Sequence, residues 1–161
     1  MAFKPVDVVA IIKTIAESVV GCCFAHGEGI EVFNELIKKG NVNLNAYPLI
    51  YLKQDFTETA NPVTETTDVR LNLFILTPTQ TTLTASDRYT TTFLPVLYPI
   101  YEAFINALGQ SKLIQRENGK AWKSHSKTDH LFWGTETIKG NMPFDVIEIE
   151  NLELKLINKR C

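Results

Sequence analysis

Tyr47-Pro48-Leu49-Ile50-Tyr51-Leu52, then Asp68-Val69-Arg70-Leu71-Asn72-Leu73-Phe74-Ile75-Leu76, then the segment from Ser86-Asp87-Arg88-Tyr89 to Leu108-Gly109 are the successive pieces that decide the fold. The first is a short apolar run with proline at its start, where a strand needs no ladder donor, so Pro48–Gln54 reads as a strand. The second begins with alternation and becomes apolar on both faces over Leu73–Leu76. Val69–Thr77 is therefore predicted to be a central, covered strand. The third opens on Ser86, a credible N-cap, with Asp87 favourably placed against the helix dipole. Pro95 and Pro99 each remove a backbone donor and crowd the preceding turn. A kinked helix, or a short helix followed by a longer one through Tyr101, Phe104, Ile105 and Leu108, is expected, with Gly109 as its stop.

Upstream, Pro5 suits a first helical turn. Val8, Ile11, Ile12, Ile15 and Val19 follow helical spacing up to Gly21. Cys22–Gly29 reads as a small-residue connection. A second helix is expected over Ile30–Lys39, stopped by Lys38-Lys39-Gly40. Asn41–Ala46, Thr57–Thr67 and Thr77–Ala85 are polar. The threonine-rich Thr57–Thr67, with Asn61-Pro62, is read as a turn or a long flexible hairpin. Ser111–Asp129 is polar and turns at Asn118-Gly119, a hairpin-tip dipeptide. Leu131-Phe132-Trp133 reads as a short strand and Gly140–Pro143 as a loop. Val146–Ile157 closes the chain with period-two alternation. Ile147 and Ile149 share one phase; Leu152, Leu154 and Leu156 share the other. A β-bulge near Glu150-Asn151 would keep both sets on the core.

The order is helix, helix, strand, strand, helix, strand or hairpin, strand. The predicted class is α+β, a two-layer sandwich of mostly antiparallel sheet with helices packed on one face. The 161 residues suit a single domain with a substantial core, from which 57–67 and 111–130 extend as loops or hairpin arms. Hydrophobic content of 45% and charged content of 21% are those of an ordinary soluble protein. The net charge of −2 carries no global footprint for nucleic acid. Lys112, Arg116, Lys120, Lys123 and Lys127 form a local basic run, read as a solvated loop or helix end. Three cysteines, Cys22, Cys23 and Cys161, are an odd count with two adjacent, which argues for reduced thiols and an intracellular site of maturation. Asp7, Lys13 and Glu17 interrupt Val6–Phe24, so neither a signal peptide nor a membrane span is expected there.

No constellation reads as catalytic. Cys22, Cys23, His26, His125, Asp129 and His130 are the metal-ligand types. His125 and His130 have a zinc-like spacing, but adjacent cysteines point apart and the histidines sit in a polar stretch. A cysteine nucleophile needs a base and an orienting group; buried thiols acting as small hydrophobes are the plainer reading. Gly27-Glu28-Gly29-Ile30 lacks the remainder of a phosphate loop, and Glu28 would repel a phosphate. Glu148, Glu150 and Glu153 alternate with apolar residues as a strand's solvent face does. Tyr89, Phe93, Tyr98, Tyr101, Phe104, Trp122, Phe132 and Trp133 are core or subunit-interface residues, without the basic interleaving of an RNA-binding sheet. No catalytic, cofactor-binding or metal-binding residue is assigned.

The element order, with Tyr47-Pro48-Leu49-Ile50, Arg88-Tyr89, Leu97-Tyr98-Pro99 and His130-Leu131-Phe132-Trp133-Gly134, resembles the tail-terminator and tail-completion proteins of tailed bacteriophages. It also resembles neck ring proteins of phages infecting gut Bacteroidota, including crAss-like phages. The resemblance covers most of the chain. It implies a tail-terminator-like fold and a structural virion protein assembled in the host cytoplasm. It implies a homo-oligomeric ring, six-fold or twelve-fold, contacting head-connector and tail ring proteins, with DNA passing through the lumen and no membrane. It implies no enzyme activity and no cofactor. The alternative is a small cytosolic protein-interaction domain with no viral role.

Overall fold

The computed structural model describes residues 6–27, 47–80, 82–133 and 143–158. The expected helix over Ile30–Lys39, the segment Asn41–Ala46, most of the loop before Pro143, and Cys161 lie outside them.

Helix α1 spans Val8–Glu17. Asp7 caps it, accepting the Ala10 N–H at 2.9 Å. Val8, Ile12, Ile15 and Ala16 form its buried stripe. The helix stops at Glu17, before the expected glycine; Gly21 instead carries the turn that follows, at φ +81. The chain then enters strand β1, Cys23–Gly27, where the sequence suggested only a connection. Five residues bounded by glycines are too short to display a period of two, and only pairing with a neighbour reveals the strand. That neighbour is β2, Leu49–Lys53, and the pairing is parallel. The sheet is therefore mixed, with every other pair antiparallel.

Strand β3, Thr57–Asn61, and the long β4, Thr66–Pro78, form a hairpin. The threonine-rich segment is thus an ordered ribbon. The Asn61 side chain accepts the Val63 and Thr64 N–H groups, which organises the tip. β2 pairs with the second half of β4 and β3 with its first half, so the two lie on one track along the same edge. On the other edge β4 pairs along its length with β6, Phe144–Ile157, and β6 pairs with β5, Ser126–Trp133. The order across the sheet is β1-β2-β4-β6-β5, with β3 also on β4.

The phase slip in β6 is a bulge. Leu71 faces Leu152 and Leu73 faces Ile149, so Asn72 opposes both Glu150 and Asn151. Asn151 adopts φ +54 and its N–H donates to the Asn72 side chain at 2.9 Å. Asparagine tolerates this left-handed conformation better than most residues. Ile147, Ile149, Leu152, Leu154 and Leu156 consequently all join one core with the helices.

Thr84, not Ser86, caps helix α2, Ala85–Arg88. Thr84 and Asp87 form a reciprocal capping box, which sets the start two residues earlier. The proline-bearing stretch is neither broken nor sharply split. α2 runs into a π-helical segment, Tyr89–Leu97, and then α3, Tyr98–Gln110. The wider turn shifts the ladder by one residue, so the Tyr98 N–H reaches the Phe93 carbonyl. Thr90 and Thr91 hydroxyls take up the Ser86 and Asp87 carbonyls nearby. α3 passes Gly109 and ends at Gln110, with Ser111 extended beyond it.

The architecture is α+β in two layers, with α1 and α3 against one face of the sheet. Phe93, Leu97, Phe104 and Leu108 pack there on Ile50, Leu52, Leu71, Leu73 and Ile75. Alternation sends Leu49, Tyr51, Phe74, Leu76, Phe144 and Val146 to the far face, where they form a second buried cluster. This is the two-sided burial that the Leu73–Leu76 run predicts. Among the described residues, no helix is long and apolar enough to cross a membrane.

Candidate functional site

The described sheet has two open edges. On one side β3 pairs only with β4, and all five of its residues are exposed. β1 lies outside β2 but pairs with nothing beyond it, so the described track outside β3 is empty. On the other side β5 pairs only with β6, and Ser126, Lys127, Thr128 and Asp129 are exposed. A backbone edge of this kind is the usual place for strand addition.

Both edges are braced from behind. Next to the hairpin tip, the Asn158 N–H donates to the Glu65 carbonyl at 3.0 Å, and the Thr67 hydroxyl donates to the Asn158 side chain at 3.0 Å. At the other edge a cluster ties β5 to α3. The Tyr98 hydroxyl donates to Asp129 at 2.5 Å, and Lys127 donates to the same carboxylate at 2.6 Å. The Lys127 ammonium lies 4.6 Å from the Tyr98 ring centre and 5.4 Å from that of Tyr101. The Tyr101 hydroxyl and His125 Nε2 share a 2.7 Å hydrogen bond, and Trp122 meets the imidazole edge-to-face at 4.7 Å. The bond to Asp129 pushes the Tyr98 hydroxyl up to about 12, so it remains a donor. Burial lowers the pKa of His125 and favours its neutral form. Together these groups fasten β5 to α3.

Residues 113–124 extend the same edge. Ile114 bridges Leu156 and Trp122 bridges Leu154 along the end of β6. Between them Glu117 and Lys120 exchange two 3.0 Å backbone bonds around Asn118 (φ +53) and Gly119 (φ +77). This is the tight turn that the dipeptide forecasts. The polar 111–130 region is therefore partly strand and partly a strand-hugging excursion. Beside the turn is a 340 Å³ depression whose lining includes Glu117, Lys123, Glu153 and Lys155.

These charges are paired. Lys155 contacts Glu117 and Asp68, Lys123 contacts the same two acids, and Arg70 meets Glu153 at 2.7 Å. Asp68, Glu117 and Glu153 thus balance Arg70, Lys123 and Lys155. The basic run is divided: Lys123 belongs to this network, Lys127 to the β5–α3 cluster, and Arg116 donates to the Gly109 carbonyl. Such exposed pairs add little stability, but around this depression they set each of Arg70, Lys123 and Lys155 against a carboxylate.

The remaining candidate residues are dispersed. The half-buried Cys22 thiol donates to the Ala16 and Val19 carbonyls, and burial pushes its pKa up to about 11. It is a poor nucleophile at neutral pH. Cys23 is exposed on β1, and His26 pairs with Gln54 at 3.3 Å. His125 faces α3, whereas His130 lies on the opposite face and donates to Glu148 at 2.6 Å. An odd offset along an extended chain separates the two imidazoles. Among the described residues, no group of three or more His, Cys, Asp or Glu side chains could hold a metal ion. Gly27 ends β1, and the rest of Gly27–Ile30 lies outside the described residues.

One feature had no sequence signal. Asp145 is fully buried, with the Arg88 Nε 4.0 Å from its Oδ1. Burial raises its pKa; Thr79, Thr92 and Arg88 oppose that rise. The carboxylate stands in an otherwise apolar alternation, between Phe144 and Val146. No protein-family model matches the chain, and no curated protein matches it.

Proposed function

We propose that this chain is a structural virion protein of a tailed bacteriophage, a neck or tail-completion subunit that closes into a homo-oligomeric ring joining or terminating the tail at the head connector. The observation that carries the reading is the pair of open strand edges, those of β3 and β5, on opposite sides of the described sheet. A ring needs two different surfaces on each copy that mate head-to-tail and close on themselves. Strand edges supply such surfaces without a large apolar patch. The balanced ion-pair face supports the same reading, because a lumen without concentrated positive charge lets DNA slide. In this role the chain performs no chemistry and needs no metal or cofactor. Its partners are its own copies, in six-fold or twelve-fold order, and the adjacent connector and tail rings.

Light scattering after size exclusion, with negative-stain microscopy, tests this directly. Closed rings of uniform copy number are expected, either from the protein alone or on addition of its neck neighbours. A monomer under both conditions rejects the proposal. A protein-interaction domain without a viral role would use the same edges, and genes for portal, capsid and tail proteins beside this one separate the two readings.

A further inference from the structure

We infer that the ring is sewn by strand addition, the outer edge of β5 in one copy pairing antiparallel with the outer edge of β3 in the next. This rests on the ring reading above and names its interface. Direction is the first argument. β3 is antiparallel to β4, β4 to β6, and β6 to β5, so β3 and β5 run in opposite senses within one subunit. A neighbour placed in the same orientation therefore presents its β3 antiparallel to β5, with both helical layers on the same side. No flip is needed. Pairing β3 with β3 across a two-fold would consume one edge and leave β5 open, which cannot close a ring.

Chemistry is the second argument. Edge strands usually carry lysines, prolines or a covering element that discourages pairing. β3 reads Thr57-Glu58-Thr59-Ala60-Asn61, with no lysine or proline, one charge and full exposure. Glu58 faces Val69, and Lys127 faces Ile149, so both lie on the helix side of their strands. Only one register sets Lys127 opposite Glu58. It also sets Thr128 opposite Thr57 and Ser126 opposite Thr59, on the far face. A slip of two residues one way places Asp129 against Glu58, which like charge disfavours, and a slip of two the other way places His125, already bonded to Tyr101, there.

Cysteine pairs test the register. Thr59→Cys with Ser126→Cys, and Thr57→Cys with Thr128→Cys, are made with Cys23 and Cys161 changed to serine. A short bismaleimide bridges opposed strand positions without demanding disulfide geometry. Each double variant is expected to give a covalent ladder rising to the ring's copy number. Mixing Thr59→Cys protein with Ser126→Cys protein is expected to give dimers and no higher species. Rings intact by light scattering with no ladder from either pair overturn the strand-addition model while leaving the ring standing. Cross-linking of a single variant to itself overturns the head-to-tail arrangement. A protein that stays monomeric with its neck partners present overturns both.

Discussion

Arg88→Met exposes how the buried acid is tolerated. Asp145 has no solvent contact and Arg88 retains only 12% side-chain exposure, so the pair sits where water cannot replace a lost partner. Removing one member of such a pair costs about 3–5 kcal/mol. For a chain of this length, roughly 2–4 °C accompanies each kcal/mol. The melting temperature at pH 7.5 should therefore fall by about 10 °C. The sign of the pH dependence follows from the raised carboxyl pKa of Asp145. A folded-state pKa above the unfolded value gives stability that is full below the unfolded pKa and is lost as pH rises through the folded one. Without Arg88 the carboxyl takes up its proton more readily, so the deficit relative to wild type should shrink at pH 4. Asp145→Asn abolishes the ionisation but takes the carboxylate away from the Arg88 guanidinium, so at pH 7.5 it should also lose stability. Combined with Arg88→Met, it should recover most of the loss. Denaturation of the four proteins at both pH values is the assay. An Arg88→Met deficit equal at pH 4 and pH 7.5, or a double variant no more stable than Arg88→Met alone, refutes the reasoning.

Asn151→Gly should match or exceed wild-type stability, whereas Asn151→Val should cost about 1–2 kcal/mol in urea titration, because a β-branched residue resists the left-handed backbone of the bulge. Phe104→Ala empties a fully buried site between α3 and the sheet and should cost about 3–5 kcal/mol by the same measurement. The lowered pKa of His125 means that its neutral form favours folding. That contribution is present above the unfolded value near 6.5 and declines as pH falls below it. His125→Gln should flatten this part of the stability profile. Thiol titration at pH 8 should find Cys23 reacting quickly and Cys22 slowly, since burial holds the Cys22 thiol protonated.

Much of the fold was legible because local rules dominate where side chains alternate or cap. The covered centre of β4 announced itself in Leu73–Leu76. The bulge announced itself in the phase change between Ile149 and Leu152, and the tight turn in Asn118-Gly119. Prolines at 95 and 99 signalled a disturbed helix, but not that the ladder would widen instead of breaking. In that stretch the hydroxyls of Thr90 and Thr91 meet carbonyls one turn away. The pairing of His125 and His130 looked possible only while their segment was read as a loop. Once part of it becomes strand, the imidazoles face opposite ways.

Sequence periodicity alone determined the two layers, the central strand and which leucines and isoleucines turn inward, because burial is written in spacing. Tertiary structure alone decided that β1 adds in parallel, that Arg88 meets Asp145, and which described strands are left as edges. The reason is that strand partners are chosen through backbone N–H and C=O groups, which every residue but proline carries alike. An edge is defined by what lies beside it in space, which residue types such as lysine and proline mark but do not fix.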